Sequence, residues 1–148
     1  MINNTNFMIT GLHHVNFIVA DLDAAVERFG VLLDQAKFEF DSLPARAVNT
    51  AKTKIGGTWL VLVQPIDDQS VPARYLREHG EGFFLMSLET DDLDAQIKAY
   101  QANHLFRASA QRTGLDGWQV TDLDPNYFFG TQIQLTQDDS STTHRSQD

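Results

Sequence analysis

The segment Val19-Ala20-Asp21-Leu22-Asp23-Ala24 returns as Thr90-Asp91-Asp92-Leu93-Asp94-Ala95, with an offset of 71 from Asp21 to Asp92 and an unchanged Asp-Leu-Asp-Ala core. Each copy follows a segment of alternating apolar residues, 12–20 in the first and 83–90 in the second, that is typical of a β-strand. Each copy also begins a segment with helical apolar spacing, capped by an Asp. A strand and a helix that recur at a fixed period indicate two copies of one βαβββ unit.

The predicted boundaries follow from this repeat. The chain divides into an N-terminal extension over 1–10, a first repeat over 11–65, a connector with a short helix over 66–82, a second repeat over 83–137 and a disordered tail over 138–148. Further strands are predicted in both repeats, at 37–41, 46–55 and 58–64 and then near 105–110, 117–122 and 131–136. Pro65 ends the strand over 58–64, because proline cannot donate to a ladder. The tail contains no apolar residue and predicts disorder.

The fold class that these elements predict is α+β, with two βαβββ repeats that form a cupped mixed β-sheet barrel around a central cavity. Side chains alternate between the faces of a strand. If His14 faces the cavity, Asn16 and Ile18 do so too, whereas His13 packs under the first helix.

Composition limits the partners and the compartment. The 148 residues carry a formal net charge of −9, which disfavours nucleic acid and anionic membranes as partners. The chain has no cysteine and no long apolar run, and its first residues lack a secretory signal pattern. These features predict a cytoplasmic protein, and the predicted cavity indicates a small organic molecule as its partner.

The motifs along 10–137 resemble the vicinal-oxygen-chelate superfamily of glyoxalases, bleomycin-resistance proteins and dioxygenases, with methylmalonyl-CoA epimerases and glyoxalase I-like proteins as its most similar members. The segments that carry the resemblance are Leu12-His13-His14-Val15, the two Asp-Leu-Asp-Ala helix starts, Gly57 to Pro65, Gly80-Glu81-Gly82, and Asp124-Pro125-Asn126 with Gly130 to Leu135. The resemblance implies a glyoxalase-like fold and a homodimer.

The resemblance also implies four positions that hold one divalent metal ion in metal-dependent members. In this chain they are His14, Val61, Leu85 and Gln134. Val and Leu have no lone pair to donate, so the four positions form a vestigial site and the sequence predicts no metal cofactor. Ser87, Gln132 and Glu89 are the alternative donors from which a divalent site would have to be rebuilt, together with Asn16.

Two hypotheses for function follow. The leading one is a metal-free cavity that binds a small organic molecule. The residues expected to line it besides His14 and Gln134 are Asn16, Trp59, Val61, Leu85, Ser87, Gln132 and Tyr127. The alternative is an isomerase or lyase of the acyl-CoA or α-keto acid type, with His14 as the catalytic base and Gln134 as the donor that orients a carbonyl. His14 as an internal polar group, and Trp59 and Tyr127 as packing residues, are the structural alternatives.

Overall fold

The computed structural model describes residues 9–140, which form eight strands and three α-helices. The strands are β1 (Ile9–Ile18), β2 (Glu39–Leu43), β3 (Val48–Ile55), β4 (Thr58–Pro65), β5 (Gly82–Thr90), β6 (Arg112–Thr113), β7 (Gln119–Asp122) and β8 (Ile133–Gln137). The helices are α1 (Leu22–Leu32), α2 (Val71–His79) and α3 (Leu93–Ala102). No helix in the described part of the chain is long and apolar enough to cross a membrane.

The chain divides into two compact units. The first unit is His14–Leu85, and the second unit combines Met1–His13 with Met86–Asp148. The strand order is β2-β3-β4-β1 in the first unit and β6-β7-β8-β5 in the second. β1 runs parallel to β4 and β5 runs parallel to β8, and the remaining pairs in each unit are antiparallel. Each unit is therefore built on the same βαβββ plan.

Each unit packs one face of its sheet against its own helix. In the first unit, Leu22 and Ala25 of α1 pack on buried residues of the sheet, including Ala51, Leu60 and Leu62. In the second unit, Leu93 of α3 packs with Leu123 and Leu135. Burial of these side chains is the main stabilising term for each unit. Because strand residues alternate, the residues between them point to the opposite face of the sheet.

The hydrogen bonds at the helix starts repeat in detail. Asp21 and Asp92 are N-caps, and their side chains accept from the N–H of Ala24 and Ala95 at 3.1 and 3.0 Å. A second cap comes from the last strand of each unit. Gln64 Oε1 accepts from the Leu22 N–H at 2.8 Å, and Gln137 Oε1 accepts from the Leu93 N–H at 2.8 Å. These four bonds satisfy backbone donors that a helix start leaves unpaired.

These paired caps give a prediction about stability. Gln64→Ala and Gln137→Ala should each lower the free energy of unfolding by about 1–2 kcal/mol, because each leaves a partly buried N–H without its acceptor. Urea denaturation followed by circular dichroism measures both. Gln101→Ala on the exposed surface of α3 is the control and should change little. Losses no larger than that of the control would contradict the assigned role.

Three expectations about the elements need correction. β1 begins at Ile9, inside the predicted extension. The strand predicted near 105–110 was wrong, since only an isolated bridge joins Ala108 to Leu123 there and β6 follows later. The Asp122 N–H donates to the Ser109 hydroxyl at 2.9 Å, so a side chain interrupts the ladder. Residues 138–140 of the predicted tail are held in place, because Asp138 is buried. Residues 1–8 and 141–148 lie outside the described residues.

Candidate functional site

The first unit carries His14 on the sheet face opposite α1. Val15 and Phe17 pack against the α1 core, so the alternating residues His14, Asn16 and Ile18 lie on the other face. The register places His14 beside Trp59 and Asn16 beside Val61. His14 is 3% exposed. Four of the predicted site residues, His14, Asn16, Trp59 and Val61, therefore share one face of one sheet.

Asn16 brings an unpaired acceptor to this face. Its side-chain oxygen is buried and has no hydrogen-bond partner among residues 9–140. Thr50 Oγ1 is a second such atom, on β3, where the neighbouring Ala51 points into the α1 core. Buried polar atoms are nearly always hydrogen-bonded in folded proteins. Two atoms of this kind on the face that carries His14 indicate a place for a polar ligand or an ordered water.

Lys52 lies on the same face and is a residue that the sequence analysis missed. It is 1% exposed and stands opposite Val61 in the β3–β4 register. Its ammonium donates to Glu39 Oε1 at 3.0 Å and lies 4.1 Å from the centroid of the Trp59 ring. The signal in the sequence was a lysine at the centre of a strand, on the opposite parity to buried Ala51. A lysine at such a position must be paired or placed for function.

Leu85 packs in an apolar cluster of the first unit with Ile18 and Phe84, against Tyr75 and Leu76 of α2. Leu85 is the repeat counterpart of His14, by the same offset of 71 that relates the two helix starts. At this position the first sequence repeat has the imidazole of His14, and the second sequence repeat has the hydrocarbon side chain of Leu85.

The second unit has a corresponding polar face. Ser87 and Gln134 are neighbours in the β5–β8 register, as Asn16 and Val61 are in the first unit. Val61 and Gln134 are therefore equivalent positions. Ser87 Oγ lies 2.5 Å from Thr136 Oγ1 on the same face. Gln132 precedes β8 and accepts through its backbone carbonyl from the Met86 N–H at 3.2 Å.

The orientation of Gln134 is fixed by Asp122. Gln134 Nε2 donates to Asp122 Oδ1 at 3.2 Å, and Asp122 also accepts from Arg112 at 2.5 Å. A carboxylate accepts only, so the amide nitrogen of Gln134 must face it. The Gln134 oxygen is then the buried atom without a partner among the described residues. This orientation presents an acceptor, where the sequence analysis expected a donor.

Tyr127 lies away from the polar faces. Its ring packs against Phe106 and Phe128, at centroid distances of 4.9 and 5.0 Å. Tyr127 is 54% exposed. Phe106 and Phe128 belong to the apolar cluster around Leu93 of α3. The structure thus places Tyr127 at the helix side of the second unit.

His13 forms a buried hydrogen bond with Asp138 in the second unit. Its Nε2 donates to Asp138 Oδ2 at 2.7 Å, and its ring meets the edge of Trp118 at a centroid distance of 4.5 Å. The expectation that His13 packs under α1 is therefore wrong. Burial raises the pKa of Asp138, but hydrogen bonds from Ser140 and His13 outweigh burial and hold that pKa below its ordinary value of 3.8.

A pH dependence of stability follows from Asp138. A carboxyl whose pKa is lower in the folded state stabilises the fold above its unfolded pKa of 3.8 and loses that effect as pH falls through the folded value. Asp138→Asn should cost about 1–3 kcal/mol at pH 6, and the difference from the original protein should shrink below pH 3.8. Urea denaturation at several pH values measures this, with exposed Asp139→Asn as the control. A difference that grows in acid would contradict the role assigned to the Asp138 carboxylate.

A family model described as the Glyoxalase/Bleomycin resistance protein/Dioxygenase superfamily matches residues 13–121. The chain belongs to this superfamily. Human mitochondrial methylmalonyl-CoA epimerase is 25% identical over 128 residues, which cover 85% of this chain and 73% of the relative. The glyoxalase-like family and the resemblance to these epimerases, both expected from the sequence, are confirmed.

Solved structures of epimerases share the fold. Methylmalonyl-CoA epimerase from Mycobacterium tuberculosis is 24% identical, with a TM-score of 0.82 over 91% of this chain and 92% of the relative. A variant of the Streptomyces coelicolor epimerase, solved with 2-nitronate-propionyl-CoA, is also 24% identical, with a TM-score of 0.82 over 88% and 98%. The predicted glyoxalase-like α+β fold is confirmed.

The donor chemistry of this superfamily member does not fit the metal ion of its metal-dependent relatives. Of the equivalent positions in the first unit, His14 offers one nitrogen, whereas Val61 and Leu85 offer no donor atom. Gln134 in the second unit offers one neutral amide oxygen, which is a weaker donor than a carboxylate. Among residues 9–140, no three His, Asp or Glu side chains form a group that would hold a metal. A catalytic divalent site requires about three protein ligands.

Proposed function

We propose that this chain transfers a proton on a small acyl-CoA or α-keto acid, as an isomerase or lyase, with His14 as the group that takes and returns the proton. The observation that carries this proposal is the buried imidazole of His14 on the polar face of the first unit. The likeness to methylmalonyl-CoA epimerases supports an acyl thioester as the substrate class. Of the two hypotheses drawn from the sequence, this was the alternative.

The chemistry requires two things from the protein. A hydrogen on the carbon beside a thioester carbonyl is weakly acidic, so a base must be held within hydrogen-bond reach of it. The enolate that forms then needs positive charge or hydrogen-bond donors close to its oxygen. An imidazole is suited to the first task, because it exchanges a proton near neutral pH. Gln134, with no ionisable group, is unsuited to act as a base.

Deuterium incorporation tests this proposal. Purified protein and methylmalonyl-CoA are incubated in D₂O, and mass spectrometry follows replacement of the hydrogen at the carbon between the thioester and the carboxylate. Incorporation faster than in the protein-free control is the expected result. Incorporation at the uncatalysed rate, with methylmalonyl-CoA bound, would contradict proton transfer.

A second candidate is a metal-free protein that binds and sequesters an organic molecule. Val61 and Leu85 support it, because they make the region around His14 more apolar than that of a metal enzyme. Binding of an acyl-CoA with a measurable dissociation constant, together with no deuterium incorporation, would favour this candidate over the enzyme.

We further propose a cytoplasmic location and a homodimer. The absence of cysteine supports a reducing compartment, and the family resemblance supports the dimer. Light scattering in solution should give twice the chain mass of 16.6 kDa. A monomer mass across the micromolar range would contradict the dimer.

A further inference from the structure

We propose that Lys52 binds the carboxylate of the substrate, and so provides on the His14 face the positive charge that a divalent metal ion provides in metal-dependent relatives. This inference rests on the proposed function for the class of substrate. The residues that carry it all belong to the first unit, namely His14, Asn16, Glu39, Lys52, Trp59 and Val61.

The register places Lys52 beside one of the vestigial metal positions, Val61. Asn16 pairs with Val61 on β4, Val61 pairs with Lys52 on β3, and Lys52 pairs with Glu39 on β2. These four residues form one row across the sheet, on the face opposite α1. Val61 is the member of this row that would be a metal ligand in the metal-dependent relatives. Lys52 is therefore the neighbour on β3 of a position that has no donor atom.

The internal repeat shows how far a side chain reaches from this position. Asp122 stands opposite Gln134 in the second unit, as Lys52 stands opposite Val61 in the first. Asp122 contacts the amide of Gln134 at 3.2 Å. In the second unit, a charged side chain at this register position thus contacts the residue at the vestigial ligand position. The charge is negative in the second unit and positive in the first.

Glu39 and Trp59 are two of the residues that contact Lys52 on this face. Glu39 is 63% exposed on its side chain, so its attraction for the buried ammonium is weakened by water. Trp59 offers its ring at 4.1 Å, which stabilises the cation without neutralising it. The buried oxygen of Asn16, in the same row, has no partner among residues 9–140. A substrate whose carboxylate contacts Lys52 and whose hydrogen-bond donor faces Asn16 would give that oxygen a partner.

The role is binding, and it is separate from that of His14. A carboxylate held at the ammonium fixes the substrate relative to the base, and the charge also stabilises negative charge that develops on the substrate. Lys52 keeps its proton throughout, and no bond to it forms or breaks. The metal ion and the ammonium share only their positive charge, so the substrate must carry a full anion to gain from Lys52.

Calorimetric titration with three probes tests this proposal. Methylmalonyl-CoA carries the carboxylate on a thioester, propionyl-CoA lacks the carboxylate, and free methylmalonate lacks the CoA. Lys52→Met should weaken the binding of methylmalonyl-CoA and of methylmalonate at least about tenfold. It should change the affinity for propionyl-CoA by less than about threefold. Lys52→Arg, which keeps the charge, should retain most of the affinity. Glu39→Gln should strengthen the binding of both carboxylate probes, because it removes a carboxylate that competes with them for the Lys52 ammonium.

The controls distinguish a loss of local charge from a loss of folding. They also distinguish the binding role of Lys52 from the proposed proton transfer. Lys98→Met makes the same change in net charge at an exposed position in α3 and should alter no affinity. Circular dichroism and thermal melts verify that each variant folds. Equal affinity of the original protein and Lys52→Met for methylmalonyl-CoA would overturn the role of Lys52 and leave proton transfer intact. Carboxylate binding that depends on Lys52, without deuterium incorporation, would overturn the proposed proton transfer and support the binding role of Lys52. If the original protein binds neither methylmalonyl-CoA nor methylmalonate, the binding role of Lys52 would be overturned.

Discussion

His14→Ala is expected to lower the rate of deuterium incorporation into methylmalonyl-CoA by a factor of about 10²–10⁴, the usual contribution of a general base. The physical reason is that His14 is the imidazole on the polar face of the first unit, beside Trp59 in the strand register and two residues before Asn16 on the same strand. Affinity for methylmalonyl-CoA should change far less, because the carboxylate is held at Lys52. The measurement is mass spectrometry of the exchange in D₂O.

The comparison for His14 is another histidine of the first unit. His79 ends α2, and its side chain is 56% exposed, so His79→Ala should leave the exchange rate unchanged. His14→Gln is a further variant that keeps a polar side chain but cannot take the proton, and it should be as slow as His14→Ala. Full activity of His14→Gln would show that this position serves only as a polar contact.

Leu62→Ala is expected to lower the free energy of unfolding by about 2–5 kcal/mol, the usual cost of a cavity in a close-packed core. Leu62 is completely buried and packs with Leu22 and Ala25 of α1, in the cluster that joins helix to sheet in the first unit. Few substitutions in this chain should cost more. The measurement is urea denaturation of the original protein and the variant.

An apolar residue on the surface is the control for Leu62. Val31 of α1 is 68% exposed, so Val31→Ala removes methyl groups without opening a cavity. Its effect should stay within about 0.5 kcal/mol. A loss for Leu62→Ala as small as that for Val31→Ala would mean that α1 does not hold the sheet as described.

Periodic features were the part that the sequence predicted well. The Asp-Leu-Asp-Ala repeat gave both helix starts, and the N-cap bonds of Asp21 and Asp92 agree with it. The alternation in 12–20 gave the face that His14 and Asn16 share. The equivalence of Val61 and Gln134, inferred from the repeat, agrees with their matching positions in the two registers. Local periodicity controls these features, so a single sequence reveals them.

The rest depended on contacts between distant segments. His13 was expected under α1 because it alternates with Val15, but its partner Asp138 lies 125 residues away. Lys52 looked like an ordinary strand lysine, since its meaning comes from Trp59 and Glu39 on the adjacent strands. Gln134 was expected to donate to a ligand, but its amide nitrogen donates to Asp122 on the neighbouring strand. Spacing along the chain does not reveal such pairs.

We propose that side chains of this protein, and no divalent metal ion, supply the proton transfer and the positive charge. Deuterium incorporation into methylmalonyl-CoA, before and after removal of metal with a chelator, tests it most directly. We expect the same rate in both samples, together with loss of that rate in His14→Ala. A rate that disappears on chelation and returns only with added divalent ion would contradict it.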